Sequence, residues 1–299
     1  MFYFEKINNK NILKSDLIKD AEAFFTTRDI CICDKGVNVA TNDVAICEIT
    51  NTSGVNVATN DVANCEITNT SGINVASKQN KNSKILNRVQ NDRIFEINNN
   101  KKIIAEYLKI SEKNLISPTQ THSANIDVAI ETRHDYPDCD ALILTEKNLG
   151  IFLNFADCTP IILYDKKLNI GAVAHAGWRG TAQKIAPLTV EKLVSDYGSK
   201  PSDIIALIGP TIGFCCYNVG EEVYKKLSET VENFEGLYEI RQGDIFVDLK
   251  NINKRQLEEI GVKEIDVCPY CTVHHNDKFF SYRNENATTK RHSAVLKLI

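Results

Sequence analysis

Four short apolar runs, DALILT (140–145), GIFLNFADC (150–158), PIILYD (160–165) and NIGAVAHAG (169–177), follow one another with turn-like stretches such as EKNLG and KKLN between them. Runs of this length, bounded by turn residues, read as buried strands rather than helices. Further along, DIIALIGP (203–210), DIFVDL (244–249) and an end strand KFFSYR (278–283) extend the set, with TIGFCCYNVG (211–220) as a loop. Helical spacing is found in KKIIAEYLKI, where Ile103, Ile104, Tyr107 and Leu108 share a face, and in EEVYKKLSETV (221–231) and NINKRQLEEIG (251–261). TAQKIAPLTVEKLVSDYG (181–198) reads as one more helix, bent or interrupted at Pro187 and stopped by Gly198. Strands and helices alternate without a βαβ rhythm, so an α+β fold of mixed layers is expected.

Residues 30–100 follow other rules. GVNVATNDVAICEITNTS (36–53) recurs at 54–71 with only Ile46 replaced, by Asn64, and a third copy begins as GINVAS. Asn- and Thr-rich copies with few large apolar residues cannot stack into a solenoid core, which needs several units. A tandem duplication in a surface loop is the expectation, because loop-closure entropy rises only slowly with length. The rest of the 299-residue chain, 43% hydrophobic over its whole length, suffices for one large domain over 1–299 with this insertion at about 30–100.

A formal charge of −4 and an isoelectric point of about 5.9 offer no footprint for nucleic acid or an anionic membrane. No run is apolar enough to span a bilayer, and the start lacks the basic-then-apolar order of a signal peptide. A cytoplasmic location is expected, with small molecules as partners, and the ten cysteines as reduced thiols or metal ligands.

Three polar residues fall at strand ends: His122 in TQTHSANI, Cys158 in FADCTP and His175 in AHAGWRG. Two imidazoles and a thiolate make a three-ligand zinc set with one position open, although gaps of 36 and 17 residues follow no local spacing rule. After His175, Gly177 and Gly180 permit close backbone approach, Thr181 is placed to cap the next helix, and Arg179 adds positive charge, together an anion site or an ordinary strand-to-helix turn. DVCPYCTVHHND (266–277) is a rival: Cys268 and Cys271 have zinc-like C-x-x-C spacing, with His274 and His275 nearby. The vicinal Cys215 and Cys216 read as loop packing. His134 and His292 have no evident partner.

ADCTPIILYD, AVAHAGWRGTA, IGPTIGFCCYNVGEEV, CT and FFSYR, in that order over roughly 115–299, resemble the laccase-like proteins now described as purine nucleoside phosphorylases. AFFTTR (23–28) looks like that family's first strand, and GINVAS like the turn after it. The resemblance implies a layered α/β/β/α sandwich and a zinc ion held by His122, Cys158 and His175. It leaves Cys271 as the Cys of the family's C-T position. Two departures stand out. Ser123 occupies a position where the family has Gly, which would narrow the pocket or shift His122, and the family's glycine pair is missing after Arg28.

The implied activities are phosphorolysis of adenosine, inosine and methylthioadenosine, and hydrolytic deamination of adenosine. An open zinc position holds a water whose pKa falls to about 7. Arg179 would grip phosphate, with Arg28, Thr181 and Arg283 as further phosphate or substrate residues. Asp157, beside Cys158, would carry a proton or orient the metal site. Copper is the alternative metal and would make a polyphenol oxidase, but laccase chemistry draws on about ten His ligands and the chain has six His in all. A third reading is a hydrolase editing peptidoglycan precursors, with Cys158 as nucleophile and His175 as base.

Overall fold

The computed structural model describes residues 1–34 and 76–299, with side chains described outside 33–91; the repeats lie outside the described residues, as does most of GINVAS. The chain divides into two compact units, 1–36 with 95–299, and 37–94. Both large sheets and all the candidate site residues belong to the first.

In chain order the strands begin with β1 (Phe2–Ile7), β2 (Lys10–Ser15), β3 (Ala21–Thr26) and β4 (Cys33–Asp34), followed by helix α1 (Ala76–Leu108). Then come β5 (Leu115–Ile116), β6 (Ile126–Ala129), β7 (Ala141–Leu144), β8 (Gly150–Phe155), β9 (Thr159–Asp165) and β10 (Ile170–Ala176). Helices α2 (Trp178–Ala182) and α3 (Ile185–Tyr197) precede β11 (Ile204–Ile208), β12 (Asn218–Val219) and α4 (Glu221–Ser228). The chain closes with β13 (Tyr238–Arg241), β14 (Asp244–Val247), α5 (Leu249–Glu259), β15 (Glu264–Val267) and β16 (Lys290–Leu298).

One sheet runs β1-β2-β3-β16-β8-β5, with β4 also on β16; a second runs β15-β11-β9-β10-β7-β6; a small third runs β12-β14-β13. β5 with β8, β6 with β7 and β11 with β15 pair in parallel, and the other pairs are antiparallel, so the two large sheets are mixed.

Side-chain alternation explains why the apolar runs are unbroken. On β7, Leu142 and Leu144 enter the core between the sheets, while Ile143 faces the core under α3 and α5 with Ile185, Val190, Leu193 and Leu257. On β8, Ile151 and Leu153 face the second sheet, whereas Phe152 turns outward to Ile104 and Leu108 of α1. Both faces of β7 and β8 are therefore covered, and the one polar side chain on them, Asn154, lies at the cleft. The layers are the 95–108 part of α1, sheet, sheet, then α3 with α5, the α/β/β/α order expected. Among the described residues, no helix is long and apolar enough to cross a membrane.

Three local expectations are corrected. AFFTTR contains the third strand, not the first, because β1 and β2 form a hairpin closed by Asn8 and Asn9 at φ 46° and 62°, the left-handed pair that a two-residue turn needs. Residues 181–198 are two helices: Lys184 at φ 58° breaks them, and Pro187 sits in the first turn of α3, where its missing N–H goes unused. Gly198 ends α3 at φ 74°, as expected. KFFSYR forms turns, its Ser281 N–H spent on the Glu285 carboxylate. The end strand is β16, which pairs with β3 and β8 in the middle of the first sheet.

Candidate active site

Where β8 leaves the first sheet and β9 enters the second, the crossing segment Ala156–Asp157–Cys158 is so short that Asp157 adopts φ 82°. Cys158 lies just beyond the Ala176–Thr159 pair that ends the β9–β10 ladder, beside His175 on β10. His122 reaches the same point from the loop between β5 and β6, also in the left-handed region at φ 65°. The ligand atoms of His122, Cys158 and His175 all lie within 4.8 Å of one another, and the two imidazoles meet edge to face at 4.9 Å between centroids. The side chains that lay 36 and 17 residues apart in sequence are thus brought together.

A residue without any signal in the sequence analysis organises them. Asp140, fully buried just before β7, accepts His175 Nδ1 at 2.7 Å on one carboxylate oxygen. Its other oxygen accepts the N–H groups of Thr121 (3.0 Å) and Ser123 (2.8 Å), which flank His122 and hold its left-handed backbone. Burial works against this carboxylate, but the His175 hydrogen bond and charge and the two amides keep it well below the usual carboxylate range. With Nδ1 committed to Asp140, the other ring nitrogen of His175 is left for Cys158, the arrangement that orients a metal-ligating imidazole. Only the position of Asp140, directly ahead of an apolar strand, sets it apart in the sequence.

Ser123 is outside the cleft lining, and its hydroxyl bonds the same Asp140 oxygen at 2.9 Å. Gly177 is needed at close quarters: a Cβ there would meet the Cys158 sulfur at 2.9 Å and the His122 ring at 3.3 Å. Burial tends to raise the Cys158 thiol, yet the His175 charge and hydrogen bonds from both imidazoles bring it down to about 6. Conversely, burial depresses His175, but Cys158 and Asp140 push it up to about 9. A thiolate and two imidazoles aimed at one point fit a borderline-soft ion such as zinc.

The three side chains border a cleft of about 360 Å³, within the size range of small-molecule sites. Arg179, Arg283 and Arg291 line it with Tyr217, Tyr282 and Asn154. Arg179 stacks on Trp178, 4.2 Å from the ring. Arg283 is held by Asn218 Oδ1 at 2.5 Å. Asp157 also borders the cleft, but its carboxylate accepts Thr272 Oγ1 (2.6 Å) and the Arg283 N–H (2.7 Å).

The other sequence candidates lie elsewhere. Thr181 is buried within α2 and caps no helix; its hydroxyl accepts Asn253 Nδ2 at 2.9 Å, tying α2 to α5. Arg28 is outside the cleft lining, its guanidinium paired with both Glu285 oxygens at 2.8 and 3.0 Å and set over Phe280. That pair staples the turns that carry Tyr282 and Arg283. Cys268 is buried in the core between the sheets, its thiol pushed up to about 12 by burial. Cys271 and His274 are grouped not with it but with Cys215 and Cys216.

The profile of the family described as multi-copper polyphenol oxidoreductase laccase matches residues 66–299. Purine nucleoside phosphorylase of Bacteroides thetaiotaomicron is 31% identical over 206 residues, 64% of this chain and 76% of the relative. Purine nucleoside phosphorylase YlmD of Geobacillus stearothermophilus is 34% identical over 221 residues, 70% of this chain and 80% of the relative. The crystal structure of YlmD from Geobacillus stearothermophilus superposes with a TM-score of 0.74 at 25% identity, covering 99% of this chain and 98% of that one. The Bacillus licheniformis hypothetical protein YfiH gives 0.65 at 32% identity over 68% and 81%. With the fold, the motifs and the profile in agreement, the chain belongs to the multi-copper polyphenol oxidoreductase laccase family.

Proposed function

We propose that the chain is a zinc-dependent purine nucleoside phosphorylase acting on adenosine, inosine and methylthioadenosine, with deamination of adenosine as a second activity. The observation that carries this reading is the convergence of His122, Cys158 and His175 on one side of a cleft whose wall also presents Arg179, Arg283 and Arg291. The names of the relatives point the same way. Zinc is preferred over copper because the only methionine is Met1, so no thioether is available as the axial ligand usual in a His₂Cys copper centre.

In phosphorolysis a phosphate oxygen attacks ribose C1′ while the glycosidic bond breaks and the purine leaves. Arg179 and Arg283 hold the phosphate by charge-assisted hydrogen bonds and offset the charge that it brings into the cleft. Arg291, unassigned from sequence, adds a third positive charge. Asp157 serves as an orienter: through the Arg283 N–H it fixes where that guanidinium starts. Arg28 and Thr181 take positioning rather than contact roles, one through Glu285 and one through Asn253. Tyr217 and Tyr282 offer aromatic surface to a purine. A bound zinc would supply Lewis acidity for both activities.

The test is to incubate metal-analysed protein with adenosine and phosphate and to separate the products by chromatography. Adenine with ribose 1-phosphate is expected, and inosine from deamination. His175→Ala and Cys158→Ala should lose metal and products together; products that survive in either variant overturn the assignment.

One observation favours a second reading. The low Cys158 thiol beside the raised His175 is the pairing of a thiolate nucleophile with its base, as in a hydrolase acting on peptidoglycan precursors. Chelation separates the two: it abolishes the zinc activity and spares the thiolate one.

A further inference from the structure

Beyond the cleft, a second group of metal-binding side chains is assembled from two loops. Cys215 and Cys216 come from the loop after β11, and Cys271 and His274 from the turn after β15. Their four ligand atoms all lie within 4.8 Å of one another. We propose that Cys215, Cys216, Cys271 and His274 form a closed Cys₃His zinc site that clamps the 211–219 loop to the 271–274 turn.

The four ligand atoms need only a modest contraction to enclose a tetrahedral ion. Zn–S bonds of about 2.3 Å and Zn–N bonds of about 2.0–2.1 Å place tetrahedral ligand atoms about 3.5–3.8 Å apart. Here the Cys215 and Cys216 sulfurs are 3.6 Å apart and border the two ring nitrogens of His274, Cys215 Sγ 3.4 Å from Nδ1 and Cys216 Sγ 3.3 Å from Nε2; the imidazole would give the ion one of these nitrogens, which lies within 4.8 Å of all three sulfurs. All of these cysteines are free thiols. Cys271 and His274 have C-x-x-H spacing, which lets one turn supply two ligands to one ion.

The surroundings are shaped for sulfur as well. Cys271 accepts the Gly213 N–H at 3.2 Å and further main-chain hydrogen bonds from Val273 and His274. Several N–H groups aimed at one buried sulfur are the outer contacts that hold a ligating thiolate. Gly213 cannot carry a side chain here: a Cβ would meet Cys271 Cβ at 3.0 Å, Cys215 Sγ at 3.1 Å and Cys271 Sγ at 3.2 Å. Cys271 is buried, whereas Cys215 and His274 are exposed, leaving the ion a route in from solvent.

The clamp adjoins the cleft through covalent neighbours. Tyr217, next to Cys216, lines it, and Asn218 holds Arg283. Thr272, next to Cys271, bonds Asp157 at 2.6 Å. Two supports of the cleft wall therefore begin at the clamp.

The test uses the full chain carrying Cys158→Ala, which removes a ligand of the first site and none of the second. Metal analysis after zinc loading and desalting should find ~1 zinc equivalent per chain. Adding His274→Ala or Cys216→Ala should lower that content about tenfold or more, with the far-UV circular dichroism unchanged; His274 is exposed, so its removal leaves the core intact. Cobalt loaded into the Cys158→Ala chain should give strong thiolate-to-metal absorption and tetrahedral d–d bands, a readout that needs no change at the clamp. The proposal is overturned if the Cys158→Ala chain holds no zinc, or if its zinc and cobalt spectrum survive both clamp substitutions. Failure of the first site is a separate result: the unsubstituted chain would hold no more metal than Cys158→Ala.

Discussion

Asp140 ties the site together with one side chain: it binds His175 Nδ1 and, through two amides and the Ser123 hydroxyl, the backbone on either side of His122. Asp140→Ala should therefore lower metal affinity ~10–100-fold, measured by competition with a chromophoric chelator. Gly177→Ala should dislodge metal by another route, because the new Cβ pushes on the Cys158 sulfur. Its expected outcome is at least about tenfold weaker metal binding with the melting temperature nearly kept, since the collision is with a side chain at the rim of the core. The three converging side chains were legible through the order of motifs. Asp140 was not, because its role depends on Thr121, Ser123 and His175, the last 35 residues away.

At the scale of elements, the turns between β15 and β16 deliver Tyr282 and Arg283 to the cleft without regular backbone hydrogen bonding. Their stability is tied to Glu285, which accepts Arg28, Asn276 Nδ2 and the Ser281 N–H. Burial raises this carboxyl, but Arg28 and these donors win and hold it below its ordinary value. Its contribution is thus present above the usual carboxylate range and is lost as the pH falls below it. Glu285→Gln should cost about 1 kcal/mol at neutral pH, a modest value because both partners are partly exposed, and progressively less as acid protonates the carboxyl. Urea melts at neutral and acid pH check this. KFFSYR misled as a strand because Phe279, Phe280 and Ser281 are all buried; burial on successive residues marks a packed turn here as readily as a doubly covered strand. β16 passed unnoticed for a related reason, its central SAVL run (293–296) being short and flanked by Lys290, Arg291 and His292 at one end and Lys297 at the other.

For the whole molecule, the two covered sheets bury His292 completely between Phe155 and Phe279. Burial, aided by the charges of Arg291 and Arg28, lowers it to about 3 against the Pro210 carbonyl. A histidine kept neutral in the folded state contributes stability above its ordinary range near 6.5, and that contribution is lost as the pH falls from there toward 3. His292→Leu should flatten the stability profile over that window, removing an acid penalty of a few kcal/mol at most, read from chemical denaturation at a series of pH values. The layered architecture was legible because unbroken apolar runs on strands require cover on both faces. The meeting of the two sheets at the 156–158 crossing was not, since strand order leaves no local trace. On that crossing depends the central claim, that three converging side chains hold the ion on which the chemistry relies. The direct measurement is adenosine phosphorolysis by protein stripped with a chelator and then titrated with zinc. Activity should vanish on stripping and return in proportion to zinc bound; undiminished turnover by the stripped protein would contradict it.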